Sequence, residues 1–415
     1  MDIIIANPAD AKFPLLEDSL LEELYNSRMV ICTLGRQPEL GMAELESLYG
    51  ASALHSLNNQ VASVDVEARD INQNNLGGTI KIATPLITLN TTKWDAIIDA
   101  CQQQLIKLAP NIPEGKITIG LSALGVRVNS RDMQRAGLSL KKSLKNLGHS
   151  VRLVPNAAPE LNSAQVLHNQ LTGPRGVELL LISGGQQTHI ARTTSVQDID
   201  DYTRRDFGRP KRDALVGMLP PKLAQIMINL AQAKPDNVLL DPFCGTGVVL
   251  TEAALLGLRL QGSDLDSRMI DYTIANLDWL SQTYGIVPSI IDLSVADAQQ
   301  HNWHKPIDTV VCETYLGKPL VTLPDVKQLQ KIVNDCDNLV RKFLINLQAQ
   351  LDSGTRCCIA VPAWQTPKGF ITLPVIDDLK KIGYNQVSFS NGTGNLRYYR
   401  KDQIVARQLL VLTRQ

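Results

Sequence analysis

An apolar run, Val238-Leu239-Leu240, ends in Asp241 and passes through Pro242-Phe243-Cys244-Gly245-Thr246-Gly247 into the helix-like stretch 248–256. A strand that ends in an acid, turns through two glycines and enters a helix lets backbone approach a nucleotide-like ligand closely. Leu250 occupies the place of the third glycine in a dinucleotide fingerprint, and no Gly-Lys-Ser/Thr follows as in a P-loop, so S-adenosylmethionine is the leading candidate ligand. Asp264, 19 residues beyond Gly245, ends the next strand, where a carboxylate can accept both hydroxyl protons of a ribose diol. Asp297 follows the third strand and is placed to accept a hydrogen bond from an adenine amino group. Asp241 is placed to orient the methionine ammonium or a bridging water, and Phe243, Gly245, Gly247, Leu265 and Ala298 complete the expected cofactor site. Asp266 reads as the cap of the following helix.

These residues need a parallel sheet behind them, and the pattern from Asn237 onward supplies one. Strands at 237–240, 258–263, 289–293, 309–312 and 355–361 alternate with helices reaching Leu256, at 267–284 and at 327–350. Such alternation implies a sheet covered by helices on both faces. The tail differs: 386–389 and 408–412 read as a closing antiparallel pair. Upstream, strand 29–34, helix 41–49 and strand 61–66 form a small α/β unit, and strands 116–121, 151–154, 177–182 and 187–192 with helices 132–147 and 163–171 form a second. Residues 1–28 read as an extension carrying one short amphipathic helix through Leu15, Leu16, Leu20, Leu21 and Leu24.

At 415 residues the chain exceeds one ordinary core, so two or three domains are expected. Its 44% apolar and 20% charged residues are those of a globular protein. The seven cysteines have neither Cys-x-x-Cys spacing nor a paired histidine pattern, which argues against zinc and against a secreted disulfide framework and favours the cytoplasm. No apolar run approaches the roughly 18 residues that span a bilayer, and the N-terminus lacks the basic start of a signal peptide. The chain has no net charge, yet ten basic residues face three acidic ones between Lys116 and Ser195, and six face two between Arg204 and Lys222. This separation is a footprint of polyanion binding, although a solvated helix face explains Lys141, Lys142 and Lys145 equally well.

The fourth strand ends in Glu313-Thr314-Tyr315-Leu316-Gly317, where amino-group methyltransferases carry Asp-Pro-Pro-Tyr or Asn-Pro-Pro-Tyr. With Asp206-Phe207-Gly208-Arg209-Pro210-Lys211-Arg212-Asp213, Gly217-Met218-Leu219-Pro220-Pro221-Lys222-Leu223-Ala224, Asp241 to Gly247, Gly262 to Asp266 and the tail Asp402 to Arg407, the chain resembles the THUMP-domain tRNA N2-guanine methyltransferases that act at tRNA position 10. Leu76-Gly77-Gly78-Thr79-Ile80-Lys81 and Val196 to Asp200 are also similar, and the likeness runs over 29–415. It implies an α/β fold in five parts: the extension 1–28, a ferredoxin-like domain 29–85, a THUMP domain 86–200 that grips the tRNA acceptor end, a basic linker and first helix 201–235, and a Rossmann-like class I methyltransferase domain 236–415.

The resemblance also implies roles at the fourth strand end. An exocyclic amine is a poor nucleophile because its lone pair is delocalised, so acceptors must draw its N–H bonds towards tetrahedral geometry. Glu313 keeps the carboxylate one methylene longer than the family's Asp, Thr314 offers a carbonyl, and Tyr315 supplies a stacking face for a flipped base. A tRNA substrate assigns phosphate contacts to Arg127, Arg131, Arg135, Lys141, Lys142 and Lys145, and a backbone track to Arg204, Arg205, Arg209, Lys211 and Arg212. Some relatives use a small zinc-binding activator subunit, which the resemblance adds to tRNA as a candidate partner. Two other readings remain at this stage: an N6-adenine methyltransferase on DNA or RNA, and a tRNA-binding protein whose altered Glu-Thr-Tyr-Leu-Gly no longer supports transfer.

Overall fold

The computed structural model describes residues 28–213, 218–391 and 396–415. The short helix expected through Leu15 to Leu24, the extension as far as residue 27, and Gly217 lie outside the described residues. The chain forms two compact units, one made mainly of 83–194 and one of 32–64, 72–82 and 195–415. In chain order the first strands are β1 (Val30–Leu34), β2 (Leu54–Asn58), β3 (Val61–Val64), β4 (Thr79–Leu89), β5 (Ile117–Leu124), β6 (Val151–Leu153), β7 (Gly176–Gly184) and β8 (Gln187–Val196).

In the smaller unit the strand order is β4-β8-β7-β5-β6, with β5 parallel to β6 and β7 and β7 antiparallel to β8. Helices Trp94–Leu108 and Ser130–Asn146 bury Ile97, Cys101, Leu105, Met133, Leu140 and Leu144 against Ile119, Leu121 and Leu179 of the sheet. Asn129 starts the second helix by accepting the N–H groups of Arg131 and Asp132 at 2.9 and 3.0 Å. Its apolar positions recur every three or four residues, so the remaining face is left to Arg131, Arg135, Lys142 and Lys145, all exposed.

In the larger unit β9 (Val238–Asp241), β10 (Arg259–Asp264), β11 (Ser289–Val295), β12 (Thr309–Glu313), β13 (Arg356–Thr366), β14 (Gly369–Ile371), β15 (Tyr384–Gln386), β16 (Arg397–Tyr398) and β17 (Val405–Arg414) build a sheet of order β11-β10-β9-β12-β13-β17-β15, with β14 on β13 and β16 on β17. The strands from β11 to β13 are mutually parallel, whereas β17 runs antiparallel between β13 and β15. Period-two alternation distributes the core: Val311 faces the helices Pro221–Leu230, Val248–Leu255 and Ser267–Tyr284, while Val310 and Cys312 face the helix Val326–Gln348. The expected closing pair is present, β15 ending at Gln386 and pairing with Leu412. The stretch expected as a linker starts inside the helix Ile199–Phe207 and leads into the expected first helix, which spans Pro221–Leu230.

One buried acid joins the segments 32–64 and 72–82 of this unit to the helix Pro221–Leu230. Glu44, on the helix Pro38–Tyr49, accepts the N–H groups of Gly77 at 2.9 Å and Gly78 at 2.8 Å, and the Nδ2 of Asn229 at 2.7 Å. Burial pushes its carboxyl up to about 7 against the pull of those three bonds. Both glycines are required by close approach, since a Cβ on Gly77 would stand 2.3 Å from the Lys222 carbonyl oxygen and one on Gly78 2.6 Å from the Gly41 Cα. Gly77→Ala should therefore lower stability by about 1–3 kcal/mol, read as a fall in the thermal melting temperature. An unchanged melt would show that this junction does not constrain the unit.

Candidate active site

The order of strands reverses between β9 and β12, and ligands of open α/β sheets bind in the crevice outside the strand ends at such a point. Here that crevice is a cleft of about 560 Å³, a size suited to a small organic ligand. Asp241 closes β9, Asp264 closes β10, Asp297 follows β11 and Glu313 closes β12, and all four line the cleft. Phe243, Gly245, Leu265, Ala298, Thr314 and Tyr315 line it too, whereas Gly247 stands behind it as the cap of the helix Val248–Leu255.

The turn is held by its own acids. Gly245 and Gly247 have φ of +52° and +81°, left-handed values that favour glycine, and a Cβ on Gly247 would meet Thr273 Oγ1 at 2.9 Å. Asp264 accepts the Gly245 N–H through Oδ2 and the Asp266 N–H through Oδ1, each at 2.9 Å. Asp266 caps the helix Ser267–Tyr284 through the Arg268 N–H. Asp241 is 1% exposed and accepts the Phe243 N–H at 3.1 Å. Burial raises its carboxyl well above the usual range, with the Asp264 and Glu313 charges adding to the rise. Burial also raises Asp264, opposed by its backbone hydrogen bonds. Asp297 accepts the Gln299 N–H at 3.0 Å. Leu250 fits where a third glycine was absent because Gly262 of β10 makes room; a Cβ there would lie 2.7 Å from Leu250 Cδ1.

The acceptor side differs from a bare carboxylate. Arg407 of β17 pairs with Glu313 through Nε to Oε1, and its Nη2 lies 3.5 Å from Oε2 and 3.4 Å from the Met218 carbonyl oxygen. Both side chains are nearly enclosed, Arg407 at 10% and Glu313 at 16% exposure. Burial raises the Glu313 carboxyl and the guanidinium draws it back. Thr314 is buried, its N–H and hydroxyl both turned to the Ala360 carbonyl at 2.9 and 3.2 Å. Tyr315 is 47% exposed at the cleft mouth.

Two of the expected RNA contacts are corrected. Arg205 is buried, bound to Asp201 and, through Nε at 2.7 Å, to Glu252. Arg209 is 4% exposed and donates from Nη1 to Thr246 Oγ1 at 3.4 Å. Neither can reach a phosphate from there. The periodicity of Ile199–Phe207 as a helix places Arg205 inward, a signal that the linker reading overlooked. Arg204, Lys211 and Arg212 are exposed, Arg204 within 3.4 Å of Asp201 and Arg212 over the Phe207 ring. In the smaller unit Arg127, Arg131, Arg135, Lys142 and Lys145 are exposed and Lys141 half-buried. The cysteines are all buried and free, and none of the described helices is long and apolar enough to cross a membrane.

Sheet order and cleft together define a class I methyltransferase fold, shared with the crystal structure of TrmN from Thermus thermophilus at a TM-score of 0.53 and 18% identity, over 93% of this chain and 99% of that one. Residues 209–391 match the family described as UPF0020: RMKL-like, methyltransferase domain. The chain is 43% identical over 204 residues to the tRNA (guanine(10)-N2)-dimethyltransferase of Methanocaldococcus jannaschii, covering 44% of this chain and 52% of that protein. It is 34% identical over 146 residues to the enzyme of the same name from Methanothermobacter thermautotrophicus, covering 35% and 39%. The chain thus spans about half or less of the length of these curated relatives.

Proposed function

We propose that this protein uses S-adenosylmethionine to methylate the exocyclic N2 amino group of a guanosine in tRNA, at position 10. The observation that carries the reading is the cleft at the β9/β12 reversal, with four strand-end carboxylates around a glycine turn, in a chain whose matched relatives bear that activity in their names. The residues fit the donor: a sulfonium, an ammonium, a ribose diol and an adenine amine all present positive charge or hydrogen-bond donors, and the lining answers with acceptors. Asp264 would hold the diol, Asp297 the adenine amine and Asp241 the ammonium, whose charge would draw the raised Asp241 carboxyl back towards ionisation. When bound, the donor supplies an electrophilic methyl carbon. Glu313 accepts from the guanine amine, and Tyr315 at the mouth stacks on the flipped base.

The exposed cationic face of Ser130–Asn146 supports a THUMP-type role for residues 86–200 in gripping tRNA, with Arg204, Lys211 and Arg212 as further phosphate contacts. A cytoplasmic setting follows from the same substrate. Incubating the protein with unmodified tRNA transcript and methyl-labelled donor, then separating nucleosides, should give label in N2-methylguanosine; label in adenosine would overturn the substrate. Asp264→Ala should weaken donor binding by about tenfold or more in calorimetry, because it removes a paired acceptor and loosens the Gly245 turn. Unchanged affinity would remove Asp264 from the ribose site.

One observation favours a second reading. The Arg407 guanidinium already occupies Glu313, and a carboxylate satisfied in that way is a weaker acceptor for an incoming amine. A tRNA-binding protein that has kept the donor fold without transfer would bind both ligands in the same assay and yield no methylated nucleoside.

A further inference from the structure

Among the described residues two aromatic rings stand exposed, Tyr315 at 47% and Phe207 at 60%. Tyr315 lines the cleft mouth, whereas Phe207, at the end of the helix Ile199–Phe207, belongs neither to the core nor to the cleft lining. A phenyl ring left mostly in water buries little apolar surface, so folding alone gives it little to do there. The Arg212 guanidinium carbon lies over the ring, 4.7 Å from its centre. Arg204 and Lys211 are exposed on the same short segment. Its acids are turned to other groups. Asp201 serves Arg204, Arg205 and Tyr284, Asp213 lies 3.3 Å from Arg268, and the Asp206 charge acts on the buried Arg209. A further ring, Tyr272 of the helix Ser267–Tyr284, has Lys211 Nζ at 5.4 Å and the Arg268 guanidinium carbon at 5.9 Å from its centre. Aromatic and cationic groups thus alternate from Phe207 to the cleft rim, which Asp213 and Arg268 line.

This combination selects one class of occupant. Protein interfaces deplete charge at their centres, whereas grooves for single-stranded nucleic acid interleave cations, which follow the backbone, with rings on which bases stack. We propose that Phe207 is a second stacking face, beside the cleft and outside it, for an unpaired nucleobase of the RNA substrate. The inference rests on the tRNA reading given above. Drawing one base out of its stack into the cleft leaves a neighbouring base without a partner, and a ring beside the cleft restores that contact. The Arg212 guanidinium on one side of the ring keeps positive charge next to it for a phosphate. A phenyl ring has neither donor nor acceptor, so it holds a base without choosing its identity.

The test measures binding of unmodified tRNA transcript to the full chain over a salt series, beside calorimetry with S-adenosylhomocysteine. Phe207→Ala should weaken tRNA binding about 5- to 100-fold with the salt slope unchanged, because stacking releases no counter-ions. Phe207→Leu, which keeps apolar bulk and removes the π face, should show a similar loss. S-adenosylhomocysteine affinity should stay within about twofold in both variants, which reports an intact fold. Phe207→Trp should retain tRNA affinity, and the indole emission it adds over wild type should be quenched by tRNA. Unchanged tRNA affinity in Phe207→Ala, a loss that comes with a shallower salt slope, or unquenched emission overturns the stacking face while leaving the tRNA reading standing. Equal loss of both ligands in Phe207→Ala and Phe207→Leu makes Phe207 a packing residue and overturns it too. A wild-type chain that binds no tRNA overturns the substrate reading, and the stacking face with it.

Discussion

Glu313→Ala is expected to slow methyl transfer to tRNA by at least about 100-fold while donor affinity stays within about threefold of wild type. The side chain closes β12 across the cleft from the Asp264 turn, so its loss leaves the hydrogen bonds of the glycine turn untouched. What disappears is the acceptor that would draw an amine N–H away from the ring plane. The substitution also takes the Glu313 carboxylate away from Arg407, leaving the acceptor end of the cleft one negative charge poorer. Both effects disfavour a transition state in which the amine gains positive charge, so they act on turnover and not on binding of the donor. Single-turnover assays with labelled donor, run beside calorimetry, separate the two quantities. Full turnover in the variant would remove Glu313 from the acceptor site, and with it the amino-methyltransferase reading of this strand end.

The cleft was legible because the residues that line it lie close in sequence to the elements that carry them. Asp241, Asp264 and Asp297 each terminate or follow a strand of the alternating pattern, and a strand-end position in a parallel sheet faces the crevice wherever the order reverses. The Glu313–Arg407 pair was not legible in the same way. Glu313 and Arg407 are 94 residues apart, and the placement of β17 antiparallel to β13 brings them together; β12 pairs Glu313 with Ala360, and β17 pairs Arg407 with Pro362. No local spacing encodes that. Strand β4 was missed for a different reason, since Pro85 interrupts an otherwise alternating run and reads as a break. Gly77 and Gly78 were visible as a likeness, but their purpose depended on Glu44, a charged residue on a helix whose other buried positions look ordinary. Arg205 and Arg209 show the converse error. Composition counts charge without direction, and both cations point inward.

Arg407→Met should raise the Glu313 carboxyl further above its ordinary range. Two opposing causes set the Glu313 carboxyl: burial pushes it up and the guanidinium pulls it down. Removing the guanidinium leaves only the upward push. If Glu313 is the acceptor, transfer needs its ionised form, so the acid limb of the pH–rate profile should move to higher pH, with the deficit against wild type largest at low pH and shrinking as pH rises. Stability should follow the opposite sign. A carboxyl whose folded pKa lies above its unfolded value contributes stability that is present below the ordinary carboxylate range and lost as pH rises through the folded pKa. The variant should therefore melt at progressively lower temperature as pH increases, more steeply than wild type, and at high pH by an amount approaching the roughly 3 kcal/mol expected when one partner of a buried pair is removed. Adding Glu313→Gln to Arg407→Met should flatten that melting trend, because the group that titrates is gone. If the Arg407→Met profile kept the wild-type acid limb, Arg407 would be a packing residue of β17 and the ionisation of Glu313 would have another cause.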